Sequence, residues 1–269
     1  MDPALTYEKR GHIAYITLNR PDVRNALNPE AIIRLSEAWA DYGQDDDLRV
    51  AIITGAGDVA FSSGADLGRL IPLFTGARPP EDEWDRRLIE DRSLPRKALL
   101  RGHPLYKPII SAINGFCLAG GTELVQATDI RIAADHATFG LTEVTLGIIP
   151  AGGSLARLPR QIPYCKAMEI LLVGDRITAQ ECHRIGLVNY VVPASELMPK
   201  AEEIAAKIAA NGPLAVRKIK EAVLRASGLP LDDAFRIEDE CALEVMRSED
   251  AREGPRAFME KRQPQYKGR

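Results

Sequence analysis

Two glutamates and two glycine turns are the residues of this chain best suited to chemistry. Glu123 and Glu143 lie in one stretch, residues 107–153, and Glu123 follows the glycine pair at residues 120 and 121. A second glycine turn lies upstream, in the segment SSGADL at residues 62–67. Carboxylates can move protons beside a carbonyl group, and backbone N–H groups can hold the carbonyl oxygen as it gains charge. These residues therefore predict a proton-transfer site next to an oxyanion.

Strands that alternate with helices must position this stretch. Short β-branched runs that end at turn residues predict four strands, at residues 12–18, 48–54, 108–113 and 130–134. A helix is predicted between the first two, with Asn28 as its N-cap and Pro29 in its first turn, and another is predicted to begin near Gly120. This alternation predicts βαβ units with largely buried sheets.

The C-terminal quarter has a different pattern. Thr178 and Glu181 form a capping box for a short helix that Gly186 ends, and residues 187–192 then predict a strand. Beyond it, apolar periodicity interrupted by Gly or Pro predicts four helices, at residues 200–210, 214–226, 231–247 and 249–262. Residues 1–198 are predicted to form the core and residues 199–269 a helical region.

One charged segment before the glutamates has two open interpretations. Residues 68–106 are rich in Pro, Arg and acidic side chains. Their length and charge predict either a mobile helical lid or a solvated surface helix, outside the core in both cases.

Composition limits the classes of function. The 269 residues are 45% hydrophobic and 27% charged, which is typical of a globular protein, and the net charge of −3 gives no basis for nucleic-acid binding. The four cysteines and four histidines have no metal-ligand spacing, and no apolar run approaches the roughly 20 residues of a membrane span. The first twelve residues resemble neither a signal peptide nor a transit peptide, so a cytoplasmic enzyme is expected.

Five motifs, in order, resemble the enoyl-CoA hydratase/isomerase (crotonase) superfamily. They are LNRP…NAL (18–27), SSGADL (62–67), INGFCLAGGTEL (113–124), FGLTE (139–143) and IPAGG (149–153). The similarity extends over residues 7–266 and includes both glutamates. It implies an α/β fold, the crotonase (ClpP-like) spiral of ββα units, with a C-terminal helical region that makes trimer contacts.

The resemblance also implies roles for the residues that match. The backbone N–H groups of Ala65 and Gly120 would form the oxyanion hole. Glu123 would be the base that activates a water, and Glu143 would orient this water and donate a proton to Cα, although two interacting carboxyls titrate as a pair. The implied reaction is reversible syn hydration of a trans-2-enoyl-CoA to a 3-hydroxyacyl-CoA.

Coenzyme A enters as part of the substrate, with no metal or redox cofactor implied. The family positions that would bind it are Arg24, Ala26, Ala65, Asp66, Leu67, Gly68 and, from a neighbouring subunit, Lys261. A homotrimer or a dimer of trimers is implied, without a membrane or nucleic-acid partner.

Three departures from the family pattern bear on function. Ala119 replaces the first glycine of a triplet, Thr142 replaces a common proline, and the segment 68–106 is longer than in many members. The third leaves the acyl group undetermined. Two alternatives therefore stay open: an isomerase or specialised dehydratase on the same scaffold, and a catalytically silent CoA-binding paralogue.

Overall fold

Two mostly parallel sheets and a set of helices build the computed structural model, which describes residues 2–269. The strands are β1 (Leu5–Arg10), β2 (Ile13–Leu18), β3 (Val50–Gly55), β4 (Ala60–Ser62), β5 (Ile109–Ile113), β6 (Phe116–Leu118), β7 (Ile130–Ala134), β8 (Thr138–Gly140), β9 (Ile177–Thr178) and β10 (Tyr190–Val192). The helices are α1 (Pro29–Gln44), α2 (Leu70–Thr75), α3 (Glu83–Glu90), α4 (Leu94–Ala98), α5 (Gly120–Val125), α6 (Ser154–Gln161), α7 (Tyr164–Val173), α8 (Ala179–Arg184), α9 (Leu197–Ala210), α10 (Pro213–Ala226), α11 (Leu231–Met246) and α12 (Asp250–Met259).

The chain alternates between the two sheets. The larger sheet has the order β1-β2-β3-β5-β7-β10, and only its first pair is antiparallel. The smaller sheet has the order β4-β6-β8-β9, in which β4, β6 and β8 run parallel and β9 runs antiparallel. Each of β3, β5 and β7 in the larger sheet is thus followed by a strand of the smaller sheet, and the backbone winds as a spiral.

Helix α1 confirms the prediction from its capping residues and apolar face. The Asn28 side chain accepts a hydrogen bond from the Ala31 N–H at 2.9 Å, and Pro29 is the first helical residue. Trp39 and Tyr42 are buried, and each donates a hydrogen bond to a backbone carbonyl, Trp39 to Ala98 and Tyr42 to Pro108. Burying each large side chain contributes roughly 1.5–3 kcal/mol to the stability of the fold. Helix α1 therefore holds the chain in place at Ala98 and at Pro108.

The segment 68–106 is helical, as predicted, but the expectation that it lies outside the core is wrong. It contains α2, α3 and α4, and its Leu88 and Ala98 are completely buried against the rest of the core. Asp85 is also completely buried and accepts hydrogen bonds from the Arg78 guanidinium at 2.6 Å and from the Glu81 N–H at 2.9 Å. Burial raises the pKa of Asp85, but these bonds and Arg69 outweigh it and lower the pKa to about 2. The charges of this segment are therefore partly neutralised inside it.

The C-terminal helices form as predicted, with shifted ends. Helix α9 begins at Leu197 rather than residue 200, and α12 ends at Met259 rather than residue 262. The predicted strand at residues 187–192 is shorter, because only Tyr190–Val192 pair with β7. Helix α9 packs against β3, β5 and β7, and the predicted boundary after residue 198 falls within its first turn. The division into two regions stays a prediction.

Residues 2–269 lack two features that would indicate other classes of function. No helix there is long and apolar enough to cross a membrane, and no group of three His, Cys, Asp or Glu side chains could hold a metal ion. Cys117 is a core residue, and burial raises the pKa of its thiol to about 12.

Candidate active site

The three motif segments meet because they follow three neighbouring parallel strands. SSGADL begins in β4, the Ala119–Gly121 turn follows β6, and the segment with Glu143 follows β8. Ser62 pairs with Cys117, and Leu118 pairs with Gly140 across the smaller sheet. Since parallel strands end at the same edge of a sheet, segments 22 to 81 residues apart become neighbours there.

Two backbone N–H groups without a carbonyl partner in the described chain lie close together at this edge. A Cβ built on Gly120 would lie 3.7 Å from the Ala65 nitrogen. Within residues 2–269, neither the Ala65 N–H nor the Gly120 N–H donates to a carbonyl group. Gly64 has φ +92°, and a Cβ on it would lie 2.6 Å from the Ala119 Cβ and 3.0 Å from the Gly120 nitrogen. Glycine at position 64 therefore allows the two turns to approach.

Ala119 adopts a backbone conformation that favours glycine. Its φ is 48° and its ψ is −122°. Its N–H donates to the Gly140 carbonyl at 2.8 Å, and its own carbonyl accepts the Glu123 N–H at 3.0 Å. A non-glycine residue in such a region costs about 1–3 kcal/mol, and it persists when surrounding contacts determine it. The departure at position 119 thus keeps the backbone geometry of a glycine.

Glu123 points from α5 to the start of α6. Only 4% of the residue is exposed, and its Oε1 accepts a hydrogen bond from the Ser154 N–H at 3.2 Å. Burial raises the pKa of this carboxyl, whereas the backbone N–H groups of residues 152–154 and the Arg157 charge act in the opposite direction. A Cβ on Gly152 would lie 2.5 Å from Oε2, so glycine is needed for this approach.

Arg157, whose charge lowers the pKa of this carboxyl, binds the chain just after α4. Its Nη1 donates to the Leu99 carbonyl at 3.1 Å, and its Nη2 donates to the Leu100 carbonyl at 2.7 Å. Leu100 has φ 50°, so these two bonds hold an unusual turn. Sequence reasoning missed Arg157 and the N–H groups before it. The only signal was the Gly-Gly pair that begins α6.

Glu143 has a less polar environment than Glu123. It lies in a 3-10 helix, Thr142–Leu146, with 7% of the residue exposed, and its Oε2 is buried without a hydrogen-bond partner in the described part of the chain. Burial raises the pKa of Glu143 to about 7, and the Glu123 charge adds to this, although its own backbone N–H acts against it. A substantial fraction of Glu143 is therefore protonated at neutral pH, and the free oxygen is available to a ligand.

A cavity of about 380 Å³ joins these groups. Ala65, Gly120, Glu123 and Glu143 all line it, together with a mostly apolar wall. This wall includes Leu27, Leu70, Phe74, Pro95, Leu99 and Ile148. An elongated apolar ligand with a carbonyl group near the two N–H groups fits this lining.

The predicted nucleotide-binding residues form one hydrogen-bonded strip, except for Lys261. The Ser63 N–H donates to the Arg24 carbonyl at 2.9 Å, and the Asp66 N–H donates to the Leu27 carbonyl at 3.0 Å. Ala26 is buried within this strip, whereas Leu67 and Gly68 are exposed, and Leu67 lines the cavity. The Asp66 carboxylate accepts from the Gly68 N–H at 3.0 Å and from Arg20 at 2.8 Å. Lys261 is exposed beyond α12 and does not line the cavity.

An α/β spiral with two carboxylates and two free N–H groups in one cavity defines the crotonase class of fold. The chain belongs to the enoyl-CoA hydratase/isomerase family, whose model matches residues 8–269. It is 42% identical to "Enoyl-CoA hydratase EchA19" of Mycobacterium tuberculosis, over 99% of this chain and 97% of that protein. It is 38% identical to "(E)-benzylidenesuccinyl-CoA hydratase" of Thauera aromatica, over 98% of this chain and 99% of that protein. The crystal structure of an enoyl-CoA hydratase from Bacillus anthracis superposes with a TM-score of 0.89 at 40% identity, over 99% of this chain and 100% of that one. The predicted family and fold class are confirmed.

Proposed function

We propose that this protein is an enoyl-CoA hydratase, which adds water reversibly and with syn geometry to a trans-2-enoyl-CoA. One observation carries the proposal: two buried carboxyls in different environments line the same cavity as two unpaired backbone N–H groups. Backbone donors hold Glu123 at the start of α6, whereas the buried oxygen of Glu143 has no partner within residues 2–269. When their environments give two carboxyls different pKa values, the carboxyl with the higher pKa can act as the acid and the other as the base.

In this mechanism Glu123 is the base and Glu143 is the acid. Water forms a C–O bond at Cβ while Glu123 accepts one of its protons. The electron pair of the double bond moves into the thioester and gives an enolate, whose oxygen accepts hydrogen bonds from the N–H groups of Ala65 and Gly120. Glu143 then donates its proton to Cα. A single donor to such an oxyanion is worth about 2.7–4 kcal/mol of transition-state stabilisation.

The proposal extends to the coenzyme and the assembly. The nucleotide would bind along the strip that contains Arg24, Ala26 and residues 65–68, which lies at the cavity mouth. Lys261 would contribute from a neighbouring subunit, since it does not line the cavity of its own chain. Large exposed apolar side chains on α11 and α12, among them Phe235, Met246 and Phe258, support a homotrimer or a dimer of trimers. The proposal needs no metal or redox cofactor and places the enzyme in the cytoplasm.

Loss of enoyl-thioester absorbance across a panel of short, long, branched and aromatic enoyl-CoAs tests this function. Glu123→Gln and Glu143→Gln are each expected to lower turnover about 10²–10⁴-fold while acyl-CoA binding persists. Glu196→Gln, at an exposed glutamate without an ion pair in the described chain, is the matched control and should leave turnover unchanged. Near-normal turnover in either cavity variant would refute the assigned role, and binding without turnover of any enoyl-CoA by the unaltered protein would indicate a silent paralogue.

A further inference from the structure

Three arginines are the cations that line the cavity. Arg92 and Arg96 come from the segment around α4, and Arg101 follows it. The acidic side chains that line the same cavity are Glu123 and Glu143. The proposed hydration assigns no role to these three guanidinium groups, although they border the apolar wall formed by Pro95 and Leu99.

Arg92 and Arg96 have no carboxylate partner within residues 2–269. Both are exposed and form no ion pair or hydrogen bond through the side chain there. The carboxylate nearest in sequence, Asp91, already accepts from Ser93 and Lys97. Other cations of the same segment do have carboxylate partners, namely Arg69, Arg78, Arg87 and Lys97. Carboxylates of this segment and of α1 therefore neutralise many of its cations, whereas the arginines at the cavity have no carboxylate partner within residues 2–269.

These two cations line the same cavity as the reacting carboxyls. Arg92 lies in the turn before α4, and Arg96 lies within α4, four residues further along the chain. Two like charges beside one cavity repel each other, and an anion bound to both would relieve the repulsion. Arg101 adds a third cation, although its Nη1 already donates to the Ala151 carbonyl at 2.6 Å.

We propose that the cavity takes an enoyl thioester whose acyl group carries a carboxylate, which Arg92 and Arg96 bind beside the apolar wall. This inference rests on the proposed function for the position of the thioester. Guanidinium groups bind carboxylates through paired, charge-assisted hydrogen bonds, and the apolar wall of the same cavity suits the acyl chain between the thioester and that carboxylate. Phosphate oxygens of coenzyme A have the same chemistry, so the experiment must separate the two sources.

Binding of two saturated thioesters tests the arginine site independently of hydration. Octanoyl-CoA and its counterpart with a terminal carboxylate differ only at the far end of the chain. Titration calorimetry is expected to show roughly tenfold tighter binding of the carboxylated thioester, which corresponds to one charge-assisted interaction. The Arg92→Gln/Arg96→Gln double variant should lose this preference. Arg86→Gln, at an exposed arginine of the same segment that does not line the cavity, should retain it.

The kinetic arm uses trans-2-octenoyl-CoA and its terminally carboxylated analogue, with the corresponding pantetheine thioesters. The double variant should lower kcat/KM about tenfold for the carboxylated substrate and less than about twofold for the other. A different outcome would be a double variant that lowers kcat/KM equally for both CoA substrates and leaves it unchanged for both pantetheine thioesters. This result would show that the arginines bind the phosphates of coenzyme A, and it would overturn the proposal. Equal binding of the two saturated thioesters by the unaltered protein would overturn it as well. A retained binding preference without any turnover would refute the hydratase function alone.

Discussion

A single methyl group at position 152 should separate the catalytic geometry from the stability of the fold. Gly152 lies beside Glu123, and its φ is outside the left-handed region, so alanine can adopt its backbone conformation. The added Cβ would lie 2.5 Å from the Glu123 Oε2 and 2.4 Å from the Leu99 Cδ1. Carbon contacts are most favourable at roughly 3.5–4.0 Å, so the Glu123 carboxylate must move by about 1 Å.

This displacement gives the expected magnitude. A misplacement of about 1 Å can lower a rate about 10²-fold, whereas overpacking of this size costs about 1–3 kcal/mol of folding free energy. Gly152→Ala is therefore expected to lower kcat/KM for an enoyl-CoA about 100-fold while the protein remains folded. Initial rates of absorbance loss measure kcat/KM, and urea unfolding measures the folding free energy.

Gly212→Ala is the matched control for this experiment. Gly212 has φ −58° at the start of α10, and an added Cβ there would make only ordinary contacts, the nearest at 3.8 Å. Its rate should remain that of the unaltered protein. If Gly152→Ala is folded and its kcat/KM stays within about twofold of the unaltered value, the position of Glu123 does not depend on this glycine and the reasoning fails.

Four further predictions concern charge. Burial raises the pKa of Glu143 from 4.5 to about 7, so its ionised carboxylate destabilises the folded state above pH 7. Glu143→Gln should therefore increase the free energy of unfolding by up to about 3 kcal/mol at pH 8. The same variant should leave the free energy of unfolding unchanged at pH 4, as measured by urea titration. For the same reason kcat/KM should fall as pH rises through about 7, and a rate that is flat from pH 6 to 8 would show that proton donation by Glu143 does not limit the reaction. Arg157→Gln removes a charge that lowers the pKa of Glu123, so the acid limb of the pH–rate profile should move to higher pH and kcat/KM should fall about tenfold. Arg157→Lys keeps the charge and should leave the acid limb in place. An unmoved acid limb in Arg157→Gln would show that the Arg157 charge does not act on Glu123. Asp85→Asn leaves the Arg78 guanidinium without its buried partner and should lower the free energy of unfolding by about 3 kcal/mol, as measured by thermal unfolding. A decrease of less than about 1 kcal/mol would mean that this ion pair does not stabilise residues 68–106.

The sequence predicted those parts of the fold that depend on local signals. Asn28, Pro29 and the apolar face of α1 are sufficient to identify that helix, since capping and periodicity act within a few residues. The packing of residues 68–106 was predicted wrongly for the opposite reason. The charges of Arg78 and Asp85 resemble a solvated surface until three-dimensional folding brings them together around a buried carboxylate.

In the candidate site too, local motifs indicated some features, whereas others depend on contacts between residues far apart in the sequence. Both glutamates could be found from short motifs, because each follows a strand of the smaller sheet within a few residues. The difference between their environments could not be predicted. It depends on the start of α6, 31 residues after Glu123, and on burial of the Glu143 Oε2. The role of Arg157 toward Leu99 and Leu100 depends on a contact across 58 and 57 residues that no local pattern signals.

The central claim is that Glu123 and Glu143 together add water to the double bond rather than only move a proton. Incubation of a trans-2-enoyl-CoA with the enzyme in heavy-oxygen water, followed by mass spectrometry of the thioester, tests this claim most directly. The expected product is a 3-hydroxyacyl-CoA that carries one heavy oxygen at Cβ, and neither Glu123→Gln nor Glu143→Gln should form it in the same incubation time. A product with a shifted double bond and no heavy oxygen would contradict this claim and identify an isomerase.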